Sequence, residues 1–197
     1  MTLRLIEAPG DLPLSLAEAK LHLRISENDT TEDALITSLI AAATLHVEQL
    51  TGRRLVSQTW SKSLDAFPKC GGAIELLLPP VKSISVITFI DVDGSELAID
   101  ESAYELDAQS ETAWVIPAYG YIWPVARAKA NAVVVEFISG YGGADDVPES
   151  IKAALKLLIA HLYENREAVI VDARVQAFEL PVGIAALLSP FRVMRFV

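Results

Sequence analysis

VPESIKAALKLLIAHLYENRE, residues 147–167, has the pattern of one complete amphipathic helix. Pro148 suits the first helical turn, because the backbone donor that proline lacks would be unpaired there in any case. Four apolar residues then recur at helical spacing: Ile151, Leu155, Leu158 and Leu162. They form one stripe, so we expect this side of the helix to be buried against other helices.

Two more helices are expected near the start of the chain. Ser15 and Glu18 have the S-x-x-E spacing of a capping box, so a first helix should begin directly after Ser15. In the polar break that follows, Asp29 or Thr30 should cap a second helix. This second helix should end at Gly52, since glycine readily takes the left-handed conformation that closes a helix.

The residues between these helices have the period of strands. Val56, Trp60 and Leu64 alternate with Gln58 and Lys62, which we interpret as a half-buried strand. Further short apolar runs bring the expected number of strands to six or seven. The dipeptide at 93–94, Asp-Gly, is a strong hairpin signal, so neighbouring strands should pair antiparallel.

Together these patterns predict an α+β fold. Two N-terminal helices and one long C-terminal helix, residues 1–53 and 147–167, should form a small helical frame. An inserted, mostly antiparallel β region should occupy residues 54–146. Residues 168–197 should form a C-terminal extension with a short helix at 180–188 and a docking tail.

The bulk composition indicates a chain with more apolar surface than a monomer needs. Its 197 residues are 52% hydrophobic, and the mean hydropathy is +0.36. We find neither a run of the ~20 apolar residues that a membrane-spanning helix needs nor a signal-peptide pattern. We therefore expect a soluble intracellular protein that does not bind a membrane and that covers its apolar excess with a partner or with further copies of itself.

The net charge is −10, and the acidic excess is concentrated in one stretch without Lys or Arg. This candidate acidic surface consists of Asp91, Asp93, Glu96, Asp100, Glu101, Glu105, Asp107 and Glu111. A protein that grips DNA needs positive charge to neutralise phosphates. An acidic wall repels phosphates, so DNA could pass such a surface without being bound.

No motif predicts a catalytic, cofactor or metal site. The glycines at 140–143 lack the Lys and Ser or Thr of a phosphate-binding loop, and the acids from Asp91 lack the spacing of a calcium loop. Cys70 is the single cysteine. The three histidines sit singly on predicted helices: His22, His46 and His161. We therefore predict no enzyme activity and no cofactor.

Two regions are candidates for contacts with other proteins. Glu164, Arg166 and Glu167 form a polar helix end, which fits a solvated terminus and intersubunit ion pairs equally well. The C-terminal tail is apolar and basic, whereas a frayed tail would normally be polar. Its candidate contact residues are Phe191, Arg192, Met194, Arg195 and Phe196.

Several segments in order along the chain resemble the head–tail connector (adaptor, head-completion) proteins of tailed phages and of phage-derived gene transfer agents. The segments that carry this resemblance are LPLSLAEAKLHLRI at 12–25, ALITSLIAAA at 34–43, TGRRL at 51–55, QTW at 58–60, LPPVKSI at 78–84, GYG at 140–142, VPESIK at 147–152 and YENRE at 163–167. The resemblance therefore covers nearly the whole chain and weakens after Glu167.

The resemblance implies a structural role in particle assembly. It implies a homo-oligomeric ring, typically twelve-fold, beneath the portal protein of a DNA-filled head, in the neck of a virion or virus-like particle assembled in the bacterial host cytoplasm. Such a ring extends the DNA channel and presents a surface to the next neck or tail-completion (stopper) protein. The helical frame would form the ring body, and the C-terminal tail would dock on the portal or on an adjacent subunit.

Two other functions remain open at this point. One is a monomeric or dimeric enzyme or ligand-binding domain of non-phage origin, with a pocket near Trp114, Tyr119 and Trp123. The other is a stand-alone binding module that uses its acidic face to mimic DNA.

Overall fold

The structure is a computed structural model and describes residues 2–165 and 182–193. The described chain forms two compact units. The β unit contains the residues up to Gly10 together with Val56–Tyr141, and the helical unit contains Asp11–Leu55 together with the residues from Gly142 onward. The predicted α+β class is confirmed.

The helical unit contains four described helices: α1 (Leu16–Leu23), α2 (Asp33–Thr51), α3 (Glu149–Glu164) and α4 (Val182–Leu188). The predicted capping box is present, because the Glu18 N–H donates to Ser15 Oγ at 3.2 Å and the Ser15 N–H donates to Glu18 Oε2 at 3.0 Å. Gly52 ends α2 with a φ of 71°, as predicted. The short C-terminal helix is also confirmed, as α4.

The start of α2 differs from the prediction. The cap expected at Asp29 or Thr30 is wrong, since α2 begins at Asp33 and no side chain caps it. Asp29 instead accepts the Thr31 N–H at 3.0 Å within the preceding turn. Lys20 holds that turn outside the helix by donating to backbone carbonyls within it, a long-range contact that a capping pattern does not reveal.

The helical core is built from one face of each helix. In the predicted stripe of α3, Ile151, Leu155 and Leu158 are buried and Leu162 is partly buried. The other buried apolar side chains of this unit are Leu14, Ala19, Ile36, Ile40, Ala43, Val47, Leu55, Val147, Ala154, Ile159, Ile184 and Leu188.

Within the described residues, α2 is the one helix long and apolar enough to cross a membrane, with a mean hydropathy of 1.2 over its most apolar window. A core helix meets the same test. Ile36, Ile40 and Val47 of α2 lie in the helical core, and a third of the window is buried.

The β unit contains eight described strands in two antiparallel sheets. The strands are β1 (Thr2–Glu7), β2 (Gln58–Leu64), β3 (Ile74–Leu76), β4 (Val81–Ile90), β5 (Glu96–Ala98), β6 (Tyr104–Asp107), β7 (Ala113–Pro117) and β8 (Val133–Ser139). One sheet has the order β1-β2-β8-β4-β5 and the other the order β3-β7-β6. The hairpin predicted at 93–94 joins β4 to β5, with Gly94 at a φ of 92°.

Two features of the β unit were not predicted. The first is β1, which pairs with β2 although more than fifty residues separate them, so that residues up to Gly10 lie in the β unit and not in the helical frame. The second is Lys62, which is buried in β2, where its ammonium donates to the backbone carbonyl of Glu75 in β3. Residues two apart in a strand lie on the same face. The polar and apolar residues that alternate around Lys62 are spaced in this way, so their alternation did not show which face of β2 is exposed to solvent.

Candidate interaction surfaces

The described C-terminal end lies against the end of α2. The Val193 N–H donates to the Thr51 carbonyl at 2.8 Å, and Arg53 Nε donates to the Phe191 carbonyl at 2.6 Å. A Cβ added to Gly52 would lie 3.5 Å from Val193. Residues 189–193 are therefore anchored to the helical unit of their own chain.

The predicted contact residues divide into described and undescribed ones. Phe191 is half-buried, whereas Arg192 and Glu164 are exposed. The remaining five lie outside the described residues: Arg166, Glu167, Met194, Arg195 and Phe196.

The polar end of α3 is closed by its own residues and tied to the start of α2. Asn165 donates its backbone N–H and its side-chain amide to the His161 carbonyl, at 3.1 and 2.8 Å. The Tyr163 hydroxyl donates to the Glu32 carboxylate just before α2. Glu164 is thereby presented outward at the last turn of a fixed helix.

Within the described residues, three charged side chains of the helical unit are buried, Lys20, Glu48 and Lys152, and no sequence pattern predicted this. Lys20 is 3% exposed, donates to the carbonyls of Glu27 and Asp29 at 3.2 and 2.8 Å, and pairs with the Asp33 carboxylate. Glu48 accepts the Leu55 N–H at 2.9 Å and an Arg54 N–H at 3.1 Å.

These contacts close the loop between α1 and α2 and the turn after α2. A buried charge is stable only when paired and hydrogen-bonded, so these groups serve the fold. The usable signal for Lys20 was its spacing from Leu16 and Leu23, four residues after one and three before the other, which places it on the same face of α1 as these apolar residues.

The candidate acidic surface lies on the hairpin and edge strands of the β unit. Seven of its eight carboxylates are exposed and Asp91 is half-buried. β5 is an edge of the five-stranded sheet, and β6 is an edge of the three-stranded sheet. Glu96, Glu105 and Asp107 therefore lie on edge strands, where charge also discourages unwanted strand pairing, and the other five acids lie in the connections between strands.

Three of these acids have a local structural role as well. Asp91, Asp100 and Asp107 each accept a backbone N–H one or two residues further along, at 2.7, 2.9 and 3.1 Å. Hydrogen bonds from the side chain and the backbone of Ser102 lower the pKa of Asp100. The acidic stretch thus combines turn formation with negative charge.

The loop after β7, residues 117–126, is the most apolar exposed segment of the β unit. Trp123 is the only buried residue of this loop. Four large apolar side chains of this loop are exposed: Tyr119, Tyr121, Ile122 and Val125. We call residues 117–126 the apolar loop.

A cavity of about 760 Å³ lies between the apolar loop and residues 66–71. Trp123 stacks on Phe67 in its wall, with ring centroids 5.1 Å apart, and donates its indole N–H to the Gly72 carbonyl at 2.8 Å. Of the three residues expected around a pocket, Trp123 lines this cavity, whereas Trp114 and Tyr119 do not.

The cavity wall carries little chemistry. Its lining residues include Lys69 and Cys70 but no carboxylate or histidine, so no acid–base pair is assembled there. Over residues 2–165 and 182–193, no group of three or more His, Cys, Asp or Glu is placed to hold a metal ion.

Comparison with known proteins agrees with the sequence resemblance. Residues 13–78 match the sequence profile of the family described as phage gp6-like head-tail connector protein. This match runs from α1 through β3 and includes the capping box, α2 and Gly52. Among curated proteins, none matches the chain.

Three solved structures resemble the whole chain. They are chains of the neck of an empty GTA particle computed with C6 symmetry, of the virion of a native gene transfer agent (GTA) particle, and of the neck of a native GTA particle computed with C12 symmetry. The sequence identities are 26%, 25% and 25%, and the TM-scores are 0.79, 0.80 and 0.76. Each match covers 100% of this chain and 98% of the other. The resemblance to head–tail connectors is confirmed.

Proposed function

We infer from these matches that this chain is a structural head–tail connector protein located in the neck of a gene transfer agent or phage particle. One observation carries the inference. The fold matches neck and virion chains over 100% of its length at 25–26% identity, and residues 13–78 match the connector family independently.

The function is mechanical and not enzymatic. The matched family is a structural one. The cavity beside the apolar loop is lined by no carboxylate and no histidine, so nothing in it favours the alternative of an enzyme.

The protein acts as a ring of identical copies. Neck structures with C6 and C12 symmetry support a ring oligomer, and we propose twelve copies beneath the portal. A cyclic ring requires each copy to present two different surfaces, one to each neighbour. The ring extends the DNA channel and joins the portal protein on one side to the next neck or stopper protein on the other.

The C-terminal tail is the proposed contact with the portal or an adjacent subunit. Residues 189–193, which include Phe191 and Arg192, are anchored to the end of α2. We propose that this segment, together with Met194, Arg195 and Phe196 that follow it in sequence, makes the contact. Glu164, the last residue of α3, supplies the polar part of a subunit contact together with Arg166 and Glu167, which follow it in sequence.

The acidic surface lets DNA move past the ring. Exposed carboxylates from Asp91 to Glu111 repel phosphates, so a channel bordered by them holds no static DNA contacts. We propose that DNA passes through the ring without specific binding.

The test is the particle made without this protein. Removing the gene should leave DNA-filled heads that carry no tail, and electron microscopy should show the defect. Wild-type particles should contain the chain at the neck, in the ratio of one ring to one portal by quantitative mass spectrometry. Normal tailed particles in its absence would falsify the connector role.

The C-terminal contact is tested by two deletions. Deleting residues 194–197 leaves the Val193–Thr51 hydrogen bond in place, whereas deleting residues 190–197 removes the anchor as well. Both variants should lose binding to the purified portal protein. Undiminished portal binding by the shorter deletion would overturn this part of the proposal and leave the connector role standing.

A further inference from the structure

The apolar loop exposes more apolar surface than an isolated β unit should. Tyr119 is 101% exposed and Ile122 is 84% exposed, with Tyr121 and Val125 beside them. Contiguous apolar patches of this kind on a protein surface mark interaction sites. The loop carries no charged side chain between Pro117 and Ala126, so its partner surface must be apolar as well.

The loop is held in one conformation before any partner arrives. Trp123 is buried on Phe67 and bonded to Gly72, and the Ala118 N–H donates to the Ala103 carbonyl at 3.0 Å. At its far end, Ala126 bridges to Asp91 directly after β4. A loop that is already ordered loses little conformational entropy when it binds, which favours a specific contact.

A second exposed apolar patch lies on β1. This strand pairs with β2 on one side only, so the backbone groups of its other side form a sheet edge. Leu5 and Ile6 are 41% and 48% exposed there. An exposed edge with apolar side chains is a ready surface for another chain.

The two patches lie at opposite edges of the five-stranded sheet. The apolar loop is bonded to the end of β4, beside the edge strand β5, whereas β1 forms the other edge. Three strand spacings of about 4.8 Å, or about 14 Å, separate β4 from β1. One copy therefore cannot cover its own second patch, whereas two different patches on opposite edges are what a head-to-tail contact between copies requires.

Charged side chains border both patches. Arg4 and Glu7 are exposed on β1, and Asp93, Glu96 and Arg127 are exposed beside the apolar loop. A copy that places its loop against β1 of a neighbour brings charges of both signs to the rim of the contact from each side, where pairs of opposite charge favour one orientation.

We propose that the apolar loop of each copy packs against β1 of the next copy, so that the β units form a continuous contact around the ring. This proposal rests on the ring of the proposed function and names the surfaces that close it. The apolar loop of one copy contacts β1 of a second copy, and β1 of the first copy contacts the apolar loop of a third.

The test is disulfide trapping in assembled particles. Ile6→Cys and Ile122→Cys are combined in a chain whose exposed Cys70 is replaced by Asn, which tolerates the φ of 56° at that position. After mild oxidation, the double variant should give a ladder of covalent multimers on a non-reducing gel. Particles that incorporate a mixture of the two single variants should give dimers only, since each copy then carries one reactive edge.

The results of this trapping experiment decide whether the apolar loop contacts β1 of the next copy. A double variant that enters particles and stays monomeric overturns the loop–β1 contact while the connector role stands. Dimers from either single variant alone would show a symmetric contact and overturn it as well. If the wild-type chain is absent from particles, the proposed function fails, and this proposal fails with it.

A charge pair keeps the proposal testable if the cysteine variant does not assemble. Ile122→Lys should lower incorporation into particles on the order of ten-fold, as expected for a residue central to an interface. Adding Ile6→Glu to the same chain should restore incorporation. Leu21→Lys, at a similarly exposed apolar residue on α1, is the matched control and should not be rescued by Ile6→Glu. No rescue of Ile122→Lys overturns the contact.

Discussion

The helical unit and the β unit are stabilised by different kinds of interaction. In the helical unit, local signals set the start of α1 and the end of α2, and charged groups such as Lys20 and Glu48 close the loop between α1 and α2 and the turn after α2. In the β unit, order comes from pairing between distant strands, and all of the apolar loop except Trp123 lies outside the buried core.

This difference indicates which unit exposes an apolar surface for contacts with other copies. Within the described residues, large exposed apolar side chains of the helical unit are spread over separate helices: Leu21, Leu45, Leu157 and Val182. Those of the β unit include four within the seven residues from Tyr119 to Val125. Clustered apolar exposure on an ordered loop favours a specific contact, whereas scattered exposure is normal for any surface.

The largest effect is expected where two distant strands approach each other. At Gly140, a Cβ would lie 2.4 Å from the Val56 carbonyl oxygen, and the φ is 126°. Gly140→Ala should therefore cost about 3–5 kcal/mol, the sum of backbone strain and steric overlap with backbone that cannot move. Thermal and urea unfolding of the two proteins measure the difference.

Gly120→Ala is the matched control. Gly120 has a φ of 85° but no atom within 4 Å of the added Cβ, so it reports strain without overlap. Its cost should be about 1 kcal/mol. If both alanine variants lose the same free energy of unfolding, the close approach of the Gly140 and Val56 segments does not contribute to the stability of the β unit.

The next effect concerns the buried charge of the helical unit. Lys20→Met removes the cation that satisfies two loop carbonyls and the Asp33 carboxylate, which is itself partly exposed. The free energy of unfolding should fall by about 1–3 kcal/mol, because these acceptors lose their partner. Lys156→Met is the control, since the pair of Lys156 and Glu18 at 3.6 Å is partly exposed and should contribute about 0–1 kcal/mol.

If both lysine variants lose the same stability, the buried charge of Lys20 does not stabilise the helical unit more than a surface ion pair does. The proposed difference between the helical unit and the β unit would then not hold. Hydrogen exchange at residues 24–32 provides a second measurement. It should accelerate in Lys20→Met and stay unchanged in Lys156→Met.

The smallest effect concerns the capping box of α1. Ser15→Ala should cost about 1 kcal/mol, because the Glu18 N–H loses its acceptor. Ser38→Ala removes a hydroxyl that donates to the Leu35 carbonyl inside α2, and it should change stability by about 0.5 kcal/mol or less. Circular dichroism during thermal unfolding detects both.

The capping box also predicts a pH dependence. The Ser15 N–H, donating to the Glu18 carboxylate, is the main cause that lowers the pKa of Glu18. A lowered pKa in the folded state means that this stabilisation is complete above the pH range in which an unfolded glutamate ionises, and is lost as the pH falls through the lower folded value. The stability difference between wild type and Glu18→Gln should therefore be largest at neutral pH and shrink on acidification. A difference that grows in acid would contradict this assignment.

The correct sequence predictions concern features with a short-range cause. Ser15 with Glu18, Gly52, and the stripe on α3 each depend on residues within a few positions, so a pattern identifies them. The resemblance to head–tail connectors depended on the order of such segments along the chain.

The missed features depend on residues far away in sequence. β1 is defined by β2, more than fifty residues later, and Lys62 is buried because β3 of the second sheet covers it. The cap predicted at Asp29 failed because Lys20, nine residues earlier, holds that segment as a turn.

The sequence by itself determined the α+β class, the start of α1, the end of α2 and the kind of assembly to which this protein belongs, because these depend on local patterns and on their order. Only the tertiary structure decided which charges are buried, where the C-terminal segment is anchored, and that the apolar loop and β1 lie at opposite edges of one sheet. Burial and edge position are properties of contacts between distant segments, and such contacts exist only once the chain has folded.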